Sequence, residues 1–173
     1  MTEEQLKKIV RDVPDFPRPG ILFKDITPLL AHPAAFETCI DALAEKYQDA
    51  NLSAIAAVEA RGYLVGAPLA YKMGVSLVPV RKPGKLPYET ISQKYELEYG
   101  SNTLEIHKDA VKAGQRVLVV DDLIATGGSA RATGDLLSRL GAHVVGYAFL
   151  IELTFLNGRD TLQGFDVFSL MRY

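Results

Sequence analysis

Cysteine is almost missing from this chain: Cys39 is the only one in 173 residues. An intrachain disulfide is therefore excluded, and so is a zinc site built from several thiolates. Alone among apolar neighbours, Cys39 reads as a small packing residue. An excess of one charge is missing too. Nineteen Lys and Arg stand against 21 Asp and Glu, a net charge of −2, so there is no general basic field of the kind nucleic-acid binders carry. A local basic patch for a small anion is compatible with that balance. Long hydrophobic runs are absent as well. The densest apolar stretch, around Gly146 from Val144 to Ile151, falls far short of the roughly 20 residues of a bilayer span. Met1 to Asp12 carries acids and lysines and no apolar signal core. The expectation is a cytoplasmic protein with no membrane and no nucleic-acid partner. No repeat, low-complexity tract or linker divides the chain, and its length suits one domain able to bury a core without staples.

What is present alternates between apolar runs and helical patterns. Glu3 to Arg11 reads as a short amphipathic helix, with Leu6, Ile9 and Val10 on one face. Val13 to Gly20 holds three prolines and a glycine and reads as irregular. Pro33 to Tyr47 reads as a helix, Ser53 to Val58 as a buried strand, Gly62 to Lys72 as a helix and Val75 to Val80 as a strand. Arg81 to Gly100 is rich in Lys, Pro, Gly, Tyr and Glu, and a connection this long is usually functional or disordered. Its later part, Tyr95 to Glu98 with Thr103 to His107, alternates enough for a small hairpin. Arg116 to Val120 is a Val-rich central strand, Gly128 to Leu140 a helix and His143 to Ile151 the next strand. This order predicts an α/β fold with a mainly parallel sheet flanked by helices.

The chemistry concentrates in Val117-Leu118-Val119-Val120-Asp121-Asp122-Leu123-Ile124-Ala125-Thr126-Gly127-Gly128-Ser129. A buried strand ends in two carboxylates, and a Thr-Gly-Gly-Ser loop then feeds a helix. Ligands of open α/β sheets bind at the carboxyl ends of strands. Glycines let several N–H groups aim at one anion, and the helix N-terminus favours negative charge. No Gly-Lys-Ser/Thr closes the loop, so it is not a Walker A motif. The missing lysine suits a monophosphate, and the carboxylate pair suits vicinal hydroxyls. A phosphorylated ribose satisfies both.

This stretch resembles the phosphoribosyl-diphosphate (PRPP) motif of type I phosphoribosyltransferases. Phe16-Pro17-Arg18-Pro19-Gly20-Ile21-Leu22-Phe23-Lys24-Asp25-Ile26, Glu59-Ala60-Arg61-Gly62-Tyr63, Arg81-Lys82-Pro83-Gly84-Lys85-Leu86-Pro87 and Leu97-Glu98-Tyr99-Gly100 narrow the resemblance to the family's adenine branch. Nearly the whole chain is covered, in the family's order. In the 6-oxopurine branch the position of Ala125 typically holds an aspartate that serves the base. Alanine cannot, which leaves Glu98 as the family's acid/base.

The resemblance implies transfer of the 5-phosphoribosyl group of PRPP to adenine, giving AMP and diphosphate. It implies an N-terminal hood of about 1–30 and a flexible catalytic loop or hairpin of about 82–106 that closes over the site. The implied roles follow residue by residue. Glu98 is the general acid/base at purine N7, assisted by Tyr99. Phe23 and Leu123 lie on either side of the base, and backbone from Leu22 to Lys24 reads its edge. Asp121 and Asp122 meet the ribose hydroxyls. Ala125, Thr126, Gly127, Gly128 and Ser129 cradle the 5′-phosphate. Arg61, Arg81, Lys82 and Lys85 hold diphosphate, the last three in a loop that by spacing alone reads as solvated charge and that by the resemblance can serve a neighbour's active site in a dimer. Mg²⁺ is implied as cofactor, bound through PRPP and water and not by side chains. A homodimer is implied as well. His107 reads as a surface histidine ahead of a diphosphate contact.

Overall fold

A computed structural model describes residues 1–96 and 100–173; the expectations for Glu98 and Tyr99 fall outside the described residues. The chain opens with α1 (Glu3–Lys7), whose Thr2 and Gln5 form a capping box. The strands β1 (Arg11–Pro14) and β2 (Leu22–Asp25) pair antiparallel, with Val13 opposite Phe23. Then come α2 (Thr27–Leu30), α3 (Pro33–Tyr47), β3 (Ala54–Val58), α4 (Gly62–Met73) and β4 (Ser76–Val80). A second ribbon, β5 (Thr90–Glu96) with β6 (Ser101–His107), precedes β7 (Arg116–Ile124), α5 (Gly128–Arg139) and β8 (His143–Glu152). Two 3₁₀ turns, Thr154–Leu156 and Gly158–Leu162, lead to β9 (Asp166–Arg172).

Five strands form one sheet in the order β4-β3-β7-β8-β9, every pair parallel. Side chains alternate across a strand, so neighbouring residues serve opposite faces. Ala54, Ala56, Val117, Val119, Tyr147 and Phe149 pack with α5 and with Leu104 and Ile106 of β6. Ile55, Leu118, Val120, Ala148 and Leu150 pack on the other face with α1, α3 and α4. Because both faces are covered, the central strands are near-continuous in aliphatic residues. Cys39 lies buried in this second layer, where burial pushes its thiol up to about 11.

Three expectations are corrected. Arg11 to Pro14 is a strand, neither helix nor irregular segment, because pairing with β2 outweighs local propensity. The carboxylates Asp121 and Asp122 do not end their strand: β7 runs on to Ile124, since β8 pairs with it as far as Ile124 opposite Glu152. Helix α1 stops at Lys7. The strand β9, with α2 and β2, adds elements that the sequence reading did not include.

Candidate active site

The carboxyl end of β7 gathers the residues singled out above. Asp122 is only 4% exposed, and its Oδ2 accepts from Arg61 Nε at 2.5 Å. Arg61 stands just before α4, and Gly62 explains how that helix comes so close. A Cβ on Gly62 would sit 2.8 Å from Asp121 Oδ1 and 3.1 Å from the Val120 carbonyl. Asp121 Oδ1 in turn accepts the Asp122 N–H at 2.8 Å. Burial, then the neighbouring Asp122 carboxylate, push the Asp121 carboxyl well above its ordinary value. A cationic ligand or a positive charge developing nearby would relieve that cost.

Beyond Ile124 the chain turns on Gly127, at φ 82°. That left-handed conformation is natural to glycine. A Cβ there would also collide with Thr161 Oγ1 and the Gly158 carbonyl. The first intrahelical bond of α5 runs from the Arg131 N–H to the Gly127 carbonyl at 2.9 Å. The N–H groups of Gly128, Ser129 and Ala130 precede it and have no carbonyl partner within the helix. A pocket of about 160 Å³ lies over them, lined by Tyr95 and by the run from Leu123 to Ala130. Amide donors at the head of a 12-residue helix suit an anion.

A second pocket of about 380 Å³ adjoins the first, sharing Leu123 and Ser129 with it. Glu59, Ala60, Arg61, Lys82, Asp121 and Asp122 complete its polar wall. A third, of about 410 Å³, shares Arg61 with the second and is walled by Val13, Phe16, Phe23 and Asp25. Here the Phe16 and Phe23 rings meet edge to face, centroids 5.1 Å apart, and the Arg61 guanidinium lies 5.3 Å from the Phe23 ring. The three compartments form one groove: amide-rich, then acidic and basic, then aromatic.

Not every expected side chain faces it. Arg81 Nε pairs with Glu59 Oε2 at 3.1 Å, and its Nη1 donates to the Lys85 carbonyl at 3.2 Å. The Lys82 N–H joins Glu59 at 3.0 Å. Burial alone would raise the Glu59 carboxyl, but the Lys82 N–H and Arg81 outweigh it and hold it below its ordinary value. Arg81 therefore shapes the loop, while Lys82 lines the second pocket. Leu22 is 48% exposed on β2. Lys24 is turned to Asp12 Oδ1 at 2.6 Å and lies 4.0 Å over the Tyr173 ring, so its side chain anchors the ribbon. His107 Nε2 accepts the Tyr88 N–H at 3.3 Å, a bond that braces the foot of the second ribbon. Val13 and Phe16 were not foreseen in the aromatic compartment, and only their closeness to Phe23 in the sequence hinted at it.

The model of the phosphoribosyl transferase domain family matches residues 25–161. The adenine phosphoribosyltransferase of Thermoanaerobacter sp. (strain X514) is 56% identical over 173 residues, the whole of both chains. The crystal structure of the adenine phosphoribosyltransferase from Thermoanaerobacter pseudethanolicus ATCC 33223 superposes with a TM-score of 0.97 at 56% identity, covering 99% of this chain and 100% of that one. The Saccharomyces cerevisiae enzyme, solved with D-2,5-dideoxy-2,5-imino-altritol 1,6-bisphosphate and adenine, gives 0.92 at 44% identity, covering 98% of each chain.

Proposed function

The chain belongs to the adenine phosphoribosyltransferases, and we infer that it transfers the 5-phosphoribosyl group of PRPP to adenine, giving AMP and diphosphate in purine salvage. The observation that carries this reading is the continuity of the three compartments through Leu123, Ser129 and Arg61. PRPP has a phosphate, a ribose and a diphosphate in that spatial order, and adenine is the planar apolar partner. The yeast relative holds a bisphosphate together with adenine.

Within that reading the 5′-phosphate lies on the amides from Ala125 to Ser129. The ribose hydroxyls bond Asp121 and Asp122, and diphosphate lies toward Arg61 and Lys82. Adenine packs between Phe23 and Leu123, its edge read by backbone groups of Leu22 to Lys24. The strand β2 pairs with β1 along one edge only, which leaves the other available to a base. The C1′–oxygen bond breaks with its electron pair leaving on diphosphate, and adenine N9 forms the new bond to C1′. Asp121 and Asp122 favour the positive charge that develops on the ribose. Adenine attacks through the N9 lone pair of its N7–H form and the N7 proton passes to the Glu98 carboxylate, with Tyr99 beside it; this assignment rests on the family motif. A ribbon closing over the groove would exclude water from the activated ribose.

The donor set fits Mg²⁺ as a hydrated ion shared with substrate. Two adjacent carboxylates face the polar pocket, and no cluster of three or more His, Cys, Asp or Glu groups occurs among the described residues. Asp121 and Asp122 would hold it through water, and the bound ion would neutralise diphosphate charge. A homodimer is supported by an apolar face at the sheet edge, where Leu64 and Tyr71 of α4 and Leu77 of β4 are exposed, Tyr71 by 91%. Gel filtration at micromolar concentration should give twice the chain mass.

Diphosphate release from PRPP and Mg²⁺, measured separately with adenine, hypoxanthine, guanine, xanthine and orotate, tests the function. Release with adenine alone is expected. Release with another base would overturn the base assignment, and tight PRPP binding without release would favour a regulator that senses PRPP.

A further inference from the structure

The phosphate loop is held from behind by a segment far away in the sequence. Thr161, in the 3₁₀ turn Gly158–Leu162, places its hydroxyl 2.9 Å from the Thr126 carbonyl and 2.5 Å from the Gly158 carbonyl. A trans peptide directs its C=O and its N–H to opposite sides. With the Thr126 carbonyl held toward Thr161, the following N–H, that of Gly127, is aimed the other way. The pocket is lined by Thr126 to Ser129 and by no residue of the 3₁₀ turn, so turn and pocket meet the loop through different groups. Gly158 closes in just as tightly, since a Cβ on it would collide with the Ala125 carbonyl and lie 2.8 Å from Ile124 Cγ1.

The turn is itself fastened to the sheet. Arg159 Nε and Nη2 reach the two oxygens of Glu152 at 2.7 and 2.8 Å, and its Nη1 donates to the Val167 carbonyl at 2.7 Å. The Glu152 carboxylate, 5% exposed at the end of β8, also faces Arg172 at 3.4 Å. Leu162 is buried in the core beside α5. A two-pronged guanidinium–carboxylate pair fixes orientation as well as distance.

We propose that Thr161 is a positioning residue for the 5′-phosphate, aiming the Gly127 amide, and that the Arg159–Glu152 pair holds Thr161 in place from the adjoining strands. The proposal rests on the phosphate-cradle reading and extends it to residues outside the motif. No predicted contact with substrate is assigned to Thr161, Arg159 or Glu152.

The test is Thr161→Val, which keeps the branched shape and removes the donor, with Thr161→Ser as the conservative control. Ribose 5-phosphate, which carries the 5′-phosphate without diphosphate, is titrated by calorimetry into wild type and both variants, and steady-state constants are measured alongside. Loss of one neutral hydrogen bond predicts about a three- to tenfold weaker affinity for ribose 5-phosphate in Thr161→Val. The PRPP KM should rise by a similar factor and the adenine KM should stay within about twofold. Thr161→Ser should restore binding. Unchanged ribose 5-phosphate affinity in Thr161→Val, or equal rises in both KM values, would overturn the positioning role. Failure of wild type to bind ribose 5-phosphate would instead overturn the cradle reading on which it stands.

Discussion

The phosphate end of the groove stands on β7, in the middle of the sheet, whereas the base end stands on two four-residue strands outside it. At the first end the proposed ligand-facing groups are backbone amides, and Gly127 is buried against Thr161 and Gly158. At the second, aromatic side chains flank the groove beside the β2 backbone, and Phe16 is 51% exposed. Amides cannot adjust one at a time, so they need a rigid support. Aromatic walls tolerate motion, because stacking changes little with small shifts. Lys24 lies over the Tyr173 ring and Phe23 against Arg61, while the Lys24–Asp12 pair joins the ribbon's own two strands. Rigidity therefore belongs to the phosphate end and adaptability to the base end.

Gly127→Ala should break the rigid end most severely. Holding alanine at φ 82° costs about 1–2 kcal/mol. Overlap with Thr161 and Gly158 adds about 1–3 kcal/mol. The sum implies a Tm drop of about 4–20 °C for a chain of this length. Because the loop must shift to relieve the overlap, the PRPP KM should rise far more than the adenine KM. A variant with wild-type PRPP kinetics would show that the amides are not the cradle.

Asp121→Asn should separate stability from activity at the point where the two ends meet. Burial and Asp122 raise the Asp121 carboxyl above its ordinary value of 3.8. Burial makes its charged form costly, so its contribution to stability improves as pH falls through its folded pKa. Asparagine removes the charge and can still accept the Asp122 N–H. The expected result is a Tm equal to or above that of wild type, with turnover reduced by about 10²-fold from lost charge stabilisation. A variant that lost stability and kept turnover would reverse the assignment.

Phe23→Ala should act on the adaptable end alone. Loss of one stacking face predicts about a tenfold rise in the adenine KM. The PRPP KM and the Tm should move little, because the ribbon lies outside the sheet. Equal rises in both constants would mean that the ribbon also supports the phosphate end.

The rigid end was the more legible one. Aliphatic runs in β3, β7 and β8 announce strands covered on both faces, and the Thr-Gly-Gly-Ser turn announces its chemistry locally. The strand β9 went unread because Asp166, Ser169 and Arg172 dilute its pattern and only Met171 is fully buried. Pairing with β8 makes it a strand. The pairing of Arg81 with Glu59, 22 residues away, is one that no local pattern reveals. Thr161 carries no motif at all; its partner carbonyl is 35 residues distant. At the base end, Phe23 stood out through family resemblance, while Val13 and Phe16 lay in a segment whose prolines had suggested no regular structure.

The smallest expected effect concerns how the two ends are fastened. Behind the phosphate loop, Arg159 grips a carboxylate that is 5% exposed; within the ribbon, Lys24 of β2 grips Asp12 of β1, which is 52% exposed. Burial alone would raise the Glu152 carboxyl, but the bonds from Arg159 outweigh it and hold it below its ordinary value of 4.5. A depressed carboxylate stabilises the fold above its unfolded pKa and loses that contribution as pH falls through the lower, folded one. Glu3, Asp25 and Glu59 are depressed too, so acid weakens the protein at several places. Glu152→Gln should lower the Tm at neutral pH and flatten its decline between about pH 5 and pH 3, leaving the slope due to the other three. Asp12→Asn should leave the slope of wild type, because an exposed pair contributes little. Parallel declines in wild type and Glu152→Gln would show that the loop's support does not depend on this pair, and the contrast between a bolted end and a loosely tied one would then have to rest on backbone contacts alone.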